Sequence, residues 1–293
     1  MFVAVAGLLA AMSLYAALAG AQPPAAGAQP PVAAGAQTSV APAAGHRIDS
    51  PTLPKSAQPG DTWINPKDGA ELVYIPGGKF PAGDDDQDDN KRHTAEVSGF
   101  WIYRNCVTAA QYKKFCAETG AQMPPRPDFN PGWFRGDHPI TNVTWSEAQK
   151  YCKWAGVSLP SEAQWERAAR GGDGRKFPWG NTWDPAKCAN GAADPPLTGT
   201  VPVGRYSDSP YGLSDMAGNV NQWCLDTYDS DWPASPAATM PDAVNTSPGA
   251  FRVLRGGSWA DADDQSFRTA SRTDTLPEFR FGNSGIRCVA RPQ

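Results

Sequence analysis

Histidine is scarce in this chain. Three occur in 293 residues, His46, His93 and His138. None falls in the Gly256-Gly257-Ser258 motif, so that serine has no base beside it in sequence and does not read as a nucleophile turn. The chain also lacks a Gly-x-Ser-x-Gly elbow, a phosphate-binding loop and a His-Glu-x-x-His helix. Six cysteines are present, Cys106, Cys116, Cys152, Cys188, Cys224 and Cys288, but no two are spaced Cys-x-x-Cys. That spacing excludes a zinc ribbon or a thioredoxin-type motif. There is no basic stripe either: 26 Lys and Arg are interspersed among 30 Asp and Glu, for a net charge of −4. A nucleic-acid partner is therefore not expected.

What is abundant points elsewhere. Gly and Pro number 29 each, beside 11 Trp and 11 Phe. Such a chain has the material for a sizeable core but favours irregular, loop-rich structure over a helical bundle. Phe2 to Ala19 is an apolar run ending at the small-residue site Ala19-Gly20-Ala21, and residues 1–21 read as an export signal. No Lys or Arg precedes the run, and its length approaches that of a membrane span. The Pro-rich stretch that follows favours the signal. Residues 22–59 repeat Gly-Ala-Gln between Pro and Ala and read as a flexible linker. The folded domain is expected over 60–293. The chain is thus expected to be exported, to the periplasm or the extracellular space, with membrane attachment only through an uncleaved N-terminal segment. An even cysteine count in that setting suggests disulfides, whose pairing the spacing leaves open.

Within the domain, Glu71 to Gly78 reads as a strand ending in a turn, and Val97 to Tyr103 as a second strand. Three helices announce themselves by their caps: Thr108 before Ala109, Thr144 with Glu147 three residues on, and Ser161 with Gln164. Strands return at Arg252 to Arg255 and from Gly285 to Ala290. Between Gly171 and Ala250 periodicity fades into turns and aromatics. The run Asp84-Asp85-Asp86-Gln87-Asp88-Asp89 lacks the central Gly and closing Glu of an EF-hand and reads as a solvated acidic loop. Asn142-Val143-Thr144 has the form of a glycosylation site but reads as helix capping.

An ordered series of motifs then spans residues 68 to 292: Tyr74-Ile75-Pro76-Gly77-Gly78, Thr141-Asn142-Val143-Thr144-Trp145, Leu159 to Glu166, Phe177-Pro178-Trp179-Gly180, Gly218-Asn219-Val220, Arg255-Gly256-Gly257-Ser258-Trp259 and Gly285-Ile286-Arg287-Cys288. This series resembles the formylglycine-generating enzyme (sulfatase-modifying factor) superfamily. The resemblance implies an α+β, elaborated C-type-lectin-like fold with much irregular structure.

It also implies a chemistry that the chain departs from. Catalytic members bind Cu(I) through two cysteines after the Gly-Gly-Ser and oxidise a client cysteine to formylglycine with O2. Asp261 and Ser266 stand at those positions. A carboxylate and a hydroxyl are hard ligands that suit Cu(I) poorly, so copper is not expected. The family's iron-dependent sulfoxide synthases use a histidine cluster, for which three histidines, one in the tail, do not suffice. The resemblance implies a Cys152–Cys288 disulfide. It implies calcium at Asp215, Gly218, Val220 and Gln222, with Gln222 where a Glu is usual, and a second set at Asn190 and Gly191, where Pro195 replaces the carboxylate beside Asp194. Finally, Ala260 to Ser284 looks like the ligand-facing segment of the family's binding members. In that reading Trp259, Asp261, Asp263, Phe267, Arg268, Arg272, Thr273, Asp274, Phe279 and Phe281 form a surface for a protein or glycan partner. The competing reading of the arginines is that they form structural ion pairs. An oxidase with a divergent active site is the alternative reading of the whole chain.

Overall fold

The computed structural model describes residues 45–207 and 209–292. The expected signal and the linker up to residue 44 lie outside the described residues. The described remainder of the expected linker, residues 45–59, is not a free spacer. Asp61 draws it in, because its carboxylate accepts the backbone N–H groups of His46 (2.9 Å) and Gln58 (2.7 Å). Ile48 and Leu53 then pack against the core. No helix among the described residues is long and apolar enough to cross a membrane.

In chain order the strands are β1 (Thr62–Ile64), β2 (Glu71–Ile75), β3 (Gly78–Ala82), β4 (His93–Val97), β5 (Phe100–Tyr103), β6 (Asn221–Thr227), β7 (Arg252–Arg255), β8 (Thr273–Thr275), β9 (Ser284–Gly285) and β10 (Val289–Ala290). The helices are α1 (Ala109–Thr119), α2 (Trp145–Ala155) and α3 (Glu162–Arg170). One sheet runs β1-β2-β5-β10, β3 and β4 form a hairpin, and the third runs β8-β7-β6-β9. All three helices begin where their caps announce them. Thr108, Thr144 and Ser161 each accept the N–H three residues on, and Gln111, Glu147 and Gln164 return the bond.

Two expected strands are each divided. Val97 to Tyr103 turns at Ser98-Gly99, so that Val97 closes the hairpin and Phe100 opens β5. A Cβ at Gly99 would lie 2.1 Å from the Tyr74 hydroxyl, so a side chain there would push the Tyr74 ring from its place over the turn. Gly285 to Ala290 belongs to two sheets. β9 runs parallel to β6 and β10 antiparallel to β5. Between them Ile286, Arg287 and Cys288 are wholly buried. Arg287 needs acceptors there, and it donates to the backbone oxygens of Tyr103 (2.7 Å), Arg104 (2.7 Å) and Ser214 (2.6 Å). Cys288 sits beside Cys152 of α2, with Sγ atoms 3.0 Å apart.

The acidic loop is tied down rather than merely solvated. Asp86 pairs with Lys176 at 2.8 Å and Arg268 at 3.4 Å, and Asp88 pairs with Lys91 at 2.9 Å. Deeper charge is concentrated on α3. Glu166 meets Arg170 at 3.0 Å and Arg255 at 2.8 Å, and Glu162 meets Arg255 and Arg272, both at 2.6 Å. All five side chains are buried. Burial alone would raise the Glu166 carboxyl, but the neighbouring Arg170 and Arg255 hold it below the ordinary glutamate value.

A carboxylate whose folded value is depressed contributes stability above its unfolded value, roughly pH 4.3, and loses it as pH falls through the folded value. Glu166→Gln should therefore cost about 3–5 kcal/mol at neutral pH, since it leaves the buried Arg170 without a carboxylate and Arg255 with Glu162 alone. It should also lose less stability than the wild type between neutral pH and pH 3. Urea titrations across that range read both effects.

Candidate functional site

β7 delivers the chain into the candidate site and ends at Arg255. Gly256 (φ 102°) and Gly257 (φ 68°) then turn through left-handed backbone. A Cβ on Gly257 would lie 2.8 Å from the Ser266 carbonyl oxygen and 2.9 Å from the Phe267 ring, so both glycines shape the turn and the segment packed on it. Ser258 beyond is wholly buried.

Asp261 and Ser266, at the family's cysteine positions, are both occupied within the segment. Asp261 Oδ2 accepts the Ser258 N–H (2.8 Å) and hydroxyl (2.7 Å), and Asn283 Nδ2 donates to that hydroxyl at 3.2 Å. Ser266 donates its N–H to the Asp263 carboxylate at 3.0 Å, and its hydroxyl to the two oxygens at 3.1 and 3.0 Å. This is a hydroxyl–carboxylate loop with no sulfur in it. The thiols lie elsewhere. Cys106 touches Arg287, Cys188 touches Asn190 and Cys224 faces the Gln222 carbonyl. Burial pushes the Cys106 thiol up to about 11 and the Cys188 thiol to about 12, and Cys224 and Cys288 well above the ordinary thiol value. A thiol held protonated is a poor ligand and nucleophile.

The histidines do not meet either. His93 Nδ1 lies 2.9 Å from the Lys91 carbonyl oxygen and His138 Nδ1 lies 2.9 Å from the Thr200 hydroxyl. Among the described residues, no three His, Cys, Asp or Glu side chains converge to hold a metal ion.

The segment expected to face a partner divides sharply. Phe267 is a correction, because it is 1% exposed and stacks on Trp183 at 5.0 Å within a cluster with Phe177 and Trp179. Arg272 is another, since its guanidinium is buried, grips both Glu162 oxygens (2.6 and 3.0 Å) and covers the Tyr228 ring. Arg268 is committed to Asp86 (3.4 Å) and Asp264 (3.5 Å). Arg280 holds both Glu147 oxygens, at 2.5 and 2.6 Å. The segment has three arginines, Arg268, Arg272 and Arg280, and each is paired with a carboxylate.

What remains outside is apolar and acidic. Phe279 (47% exposed) and Phe281 (39% exposed) meet edge to face at 6.0 Å. Asp263, Thr273 and Asp274 are exposed, and Trp259 and Asp261 are half-buried. Trp259 is fixed by Nε1 donating to the Gly282 carbonyl at 3.3 Å and by the Phe129 ring, edge-on at 5.6 Å. Sequence reasoning missed Phe129 and Asn283. Phe129 comes from a Pro-rich loop 130 residues away, and nothing in its own window signals the contact.

The groups expected to hold calcium are largely engaged within the protein. Asp215 is buried, and its Oδ2 accepts the Gly204 N–H at 2.8 Å while Oδ1 has no partner among the described residues. The Gly218 carbonyl accepts the Val220 N–H at 2.8 Å. Gln222 Oε1 accepts from Trp165 (2.8 Å) and Arg287 (2.7 Å), and its Nε2 donates to the Asp215 carbonyl at 2.8 Å. Calcium takes oxygen ligands, but the Gln222 oxygen is held by two N–H donors and its nitrogen faces the Asp215 carbonyl, so the set does not fit calcium held through Gln222.

Residues 60–292 match the sulfatase-modifying factor enzyme 1-like domain, and the chain belongs to that family. The formylglycine-generating enzyme of Thermomonospora curvata is 31% identical, over 75% of this chain and 93% of that protein. The solved structure of PvdO from Pseudomonas aeruginosa superposes with a TM-score of 0.69 at 26% identity, covering 80% of this chain and all of that one. Treponema denticola variable protein 1 superposes at 0.65 with 25% identity, covering 79% of this chain and 98% of its own. The fold is accordingly the family's α+β, C-type-lectin-like fold.

The division of the segment has a direct consequence for stability. Phe267→Ala should cost about 3–5 kcal/mol, as for a buried aromatic. Phe279→Ala and Phe281→Ala should each stay within about 0.5 kcal/mol of wild type. Parallel thermal and urea melts of the three variants separate core from display.

Proposed function

We propose that this member of the sulfatase-modifying factor family is an exported binding protein that lacks the Cu(I) oxidase centre. It takes a protein or glycan partner through the face carrying Trp259, Asp261, Asp263, Asp274, Phe279 and Phe281. One observation carries the reading: Asp261 and Ser266 stand where two soft thiolates would be required. Both are also closed in hydrogen bonds to Ser258 and Asp263. Hard oxygens already engaged offer Cu(I) little.

The rest of the face supports recognition. Exposed aromatics beside carboxylates, with the segment's arginines withdrawn into ion pairs, give an apolar patch with an acidic border. Likeness to a variable protein of the same fold agrees with a display role for this segment. Export suits the cysteines. The buried Cys152 and Cys288 sulfurs, 3.0 Å apart, are poised to bridge in an oxidising compartment.

A Cys-x-Pro-x-Arg peptide incubated aerobically with the Cu(I)-loaded protein should keep its cysteine by mass spectrometry, while an active family member converts it alongside. Formylglycine in the test reaction would overturn the reading in favour of an oxidase with a divergent centre. Non-reducing peptide mapping of protein secreted into an oxidising compartment should recover the peptides of Cys152 and Cys288 as one linked species. Recovery of the two as separate, alkylatable peptides would remove the argument from export.

A further inference from the structure

Gln222 lies at the centre of the third sheet and is wholly buried. The orientation of its amide is forced by its neighbours. The Trp165 indole N–H and the Arg287 Nε–H both point at Oε1, at 2.8 and 2.7 Å. Neither group can accept a hydrogen bond, so the oxygen must face them and the nitrogen must face the other way. On that other side lies the Asp215 carbonyl oxygen, 2.8 Å from Nε2. Arg287 Nη2 approaches the same oxygen at 3.3 Å.

We propose that the Gln222 amide nitrogen does in this chain the work that a bound cation would do, tying β6 to the loop that carries Asp215, and that this site is metal-independent. One atom of the side chain makes the difference. A glutamate at 222 would keep one oxygen on Trp165 and Arg287 and turn its second oxygen toward the Asp215 carbonyl. Two acceptors would then face each other in a buried site with no hydrogen between them, and a cation would be the group able to join them. With glutamine, the N–H joins them directly.

The surroundings agree. The Asp215 Oδ2 and the Gly218 carbonyl are already engaged by Gly204 and Val220. The unpartnered Asp215 Oδ1 belongs to a residue lining a cavity of about 10 Å3, walled also by Lys187, Tyr206 and Ser209. That is room for about one water. Calcium takes six to eight oxygens, and Asp215 is the one carboxylate in these walls.

The test is thermal unfolding of the full chain and of Gln222→Glu, each in EDTA and in millimolar calcium chloride at neutral pH. The wild type should melt at the same temperature in both buffers and carry no stoichiometric calcium by elemental analysis. Gln222→Glu should melt about 5 °C or more below wild type in EDTA, and calcium should restore most of the loss. A variant that folds only when calcium is supplied supports the proposal equally. A wild-type midpoint raised by calcium overturns it, as does stoichiometric calcium in the wild type. A variant that calcium does not rescue, or that EDTA leaves unaffected, overturns it as well.

Discussion

Buried charge on α3 is the constraint around which the rest of the domain is arranged. Glu162 and Glu166 lie one turn apart and face inward, where an unpaired carboxylate would be prohibitively costly. Arg255 from β7 answers both, Arg170 answers from the same helix, and Arg272 arrives from the segment after the Gly-Gly turn. Removing Glu166 leaves Arg170 without a carboxylate, and removing Glu162 leaves Arg272 only the more distant Asp89, 3.9 Å away. The network therefore fixes how the helix, the sheet and the C-terminal segment sit together more strictly than apolar contact would.

That arrangement also decides what the C-terminal segment can offer a partner. Its arginines are drawn inward or sideways by Glu162, Asp86 and Glu147, so they set the path of the backbone and contribute little free positive charge. Phe267 is drawn inward as well, onto the Trp183 ring. The residues between these anchors, Asp274, Phe279 and Phe281 among them, point out by default. A rigid frame of ion pairs thus carries a face of small, varied chemistry, which is the condition for changing a binding surface without disturbing the fold.

The same logic holds at the crossing between the third sheet and the first. Arg287 sits where the chain passes from one sheet to the other, and its guanidinium satisfies backbone oxygens that regular strands would have paired. Gln222 completes this junction. Irregular backbone in a compact domain requires polar groups of this kind at its joints, and here side chains of the protein supply them.

The sequence by itself determined much of the local structure. Thr108, Thr144 and Ser161 marked the helix starts because a capping box is a contact between residues three apart. The ordered motifs from Tyr74 to Cys288 established the family, and Asp261 and Ser266 at the thiol positions were readable in one dimension. Only the tertiary structure decided which of the segment's residues face out. Phe267 and Phe279 have the same side chain and similar neighbours in sequence. Their fates differ because Trp183 and Phe177, some 85 residues upstream, cover one and not the other. The two-sheet split of Gly285 to Ala290, the orientation of the Gln222 amide and the Phe129–Trp259 contact were decided in the same way. Each depends on a partner distant in sequence, and the pattern of one strand carries no information about the partner that will meet it.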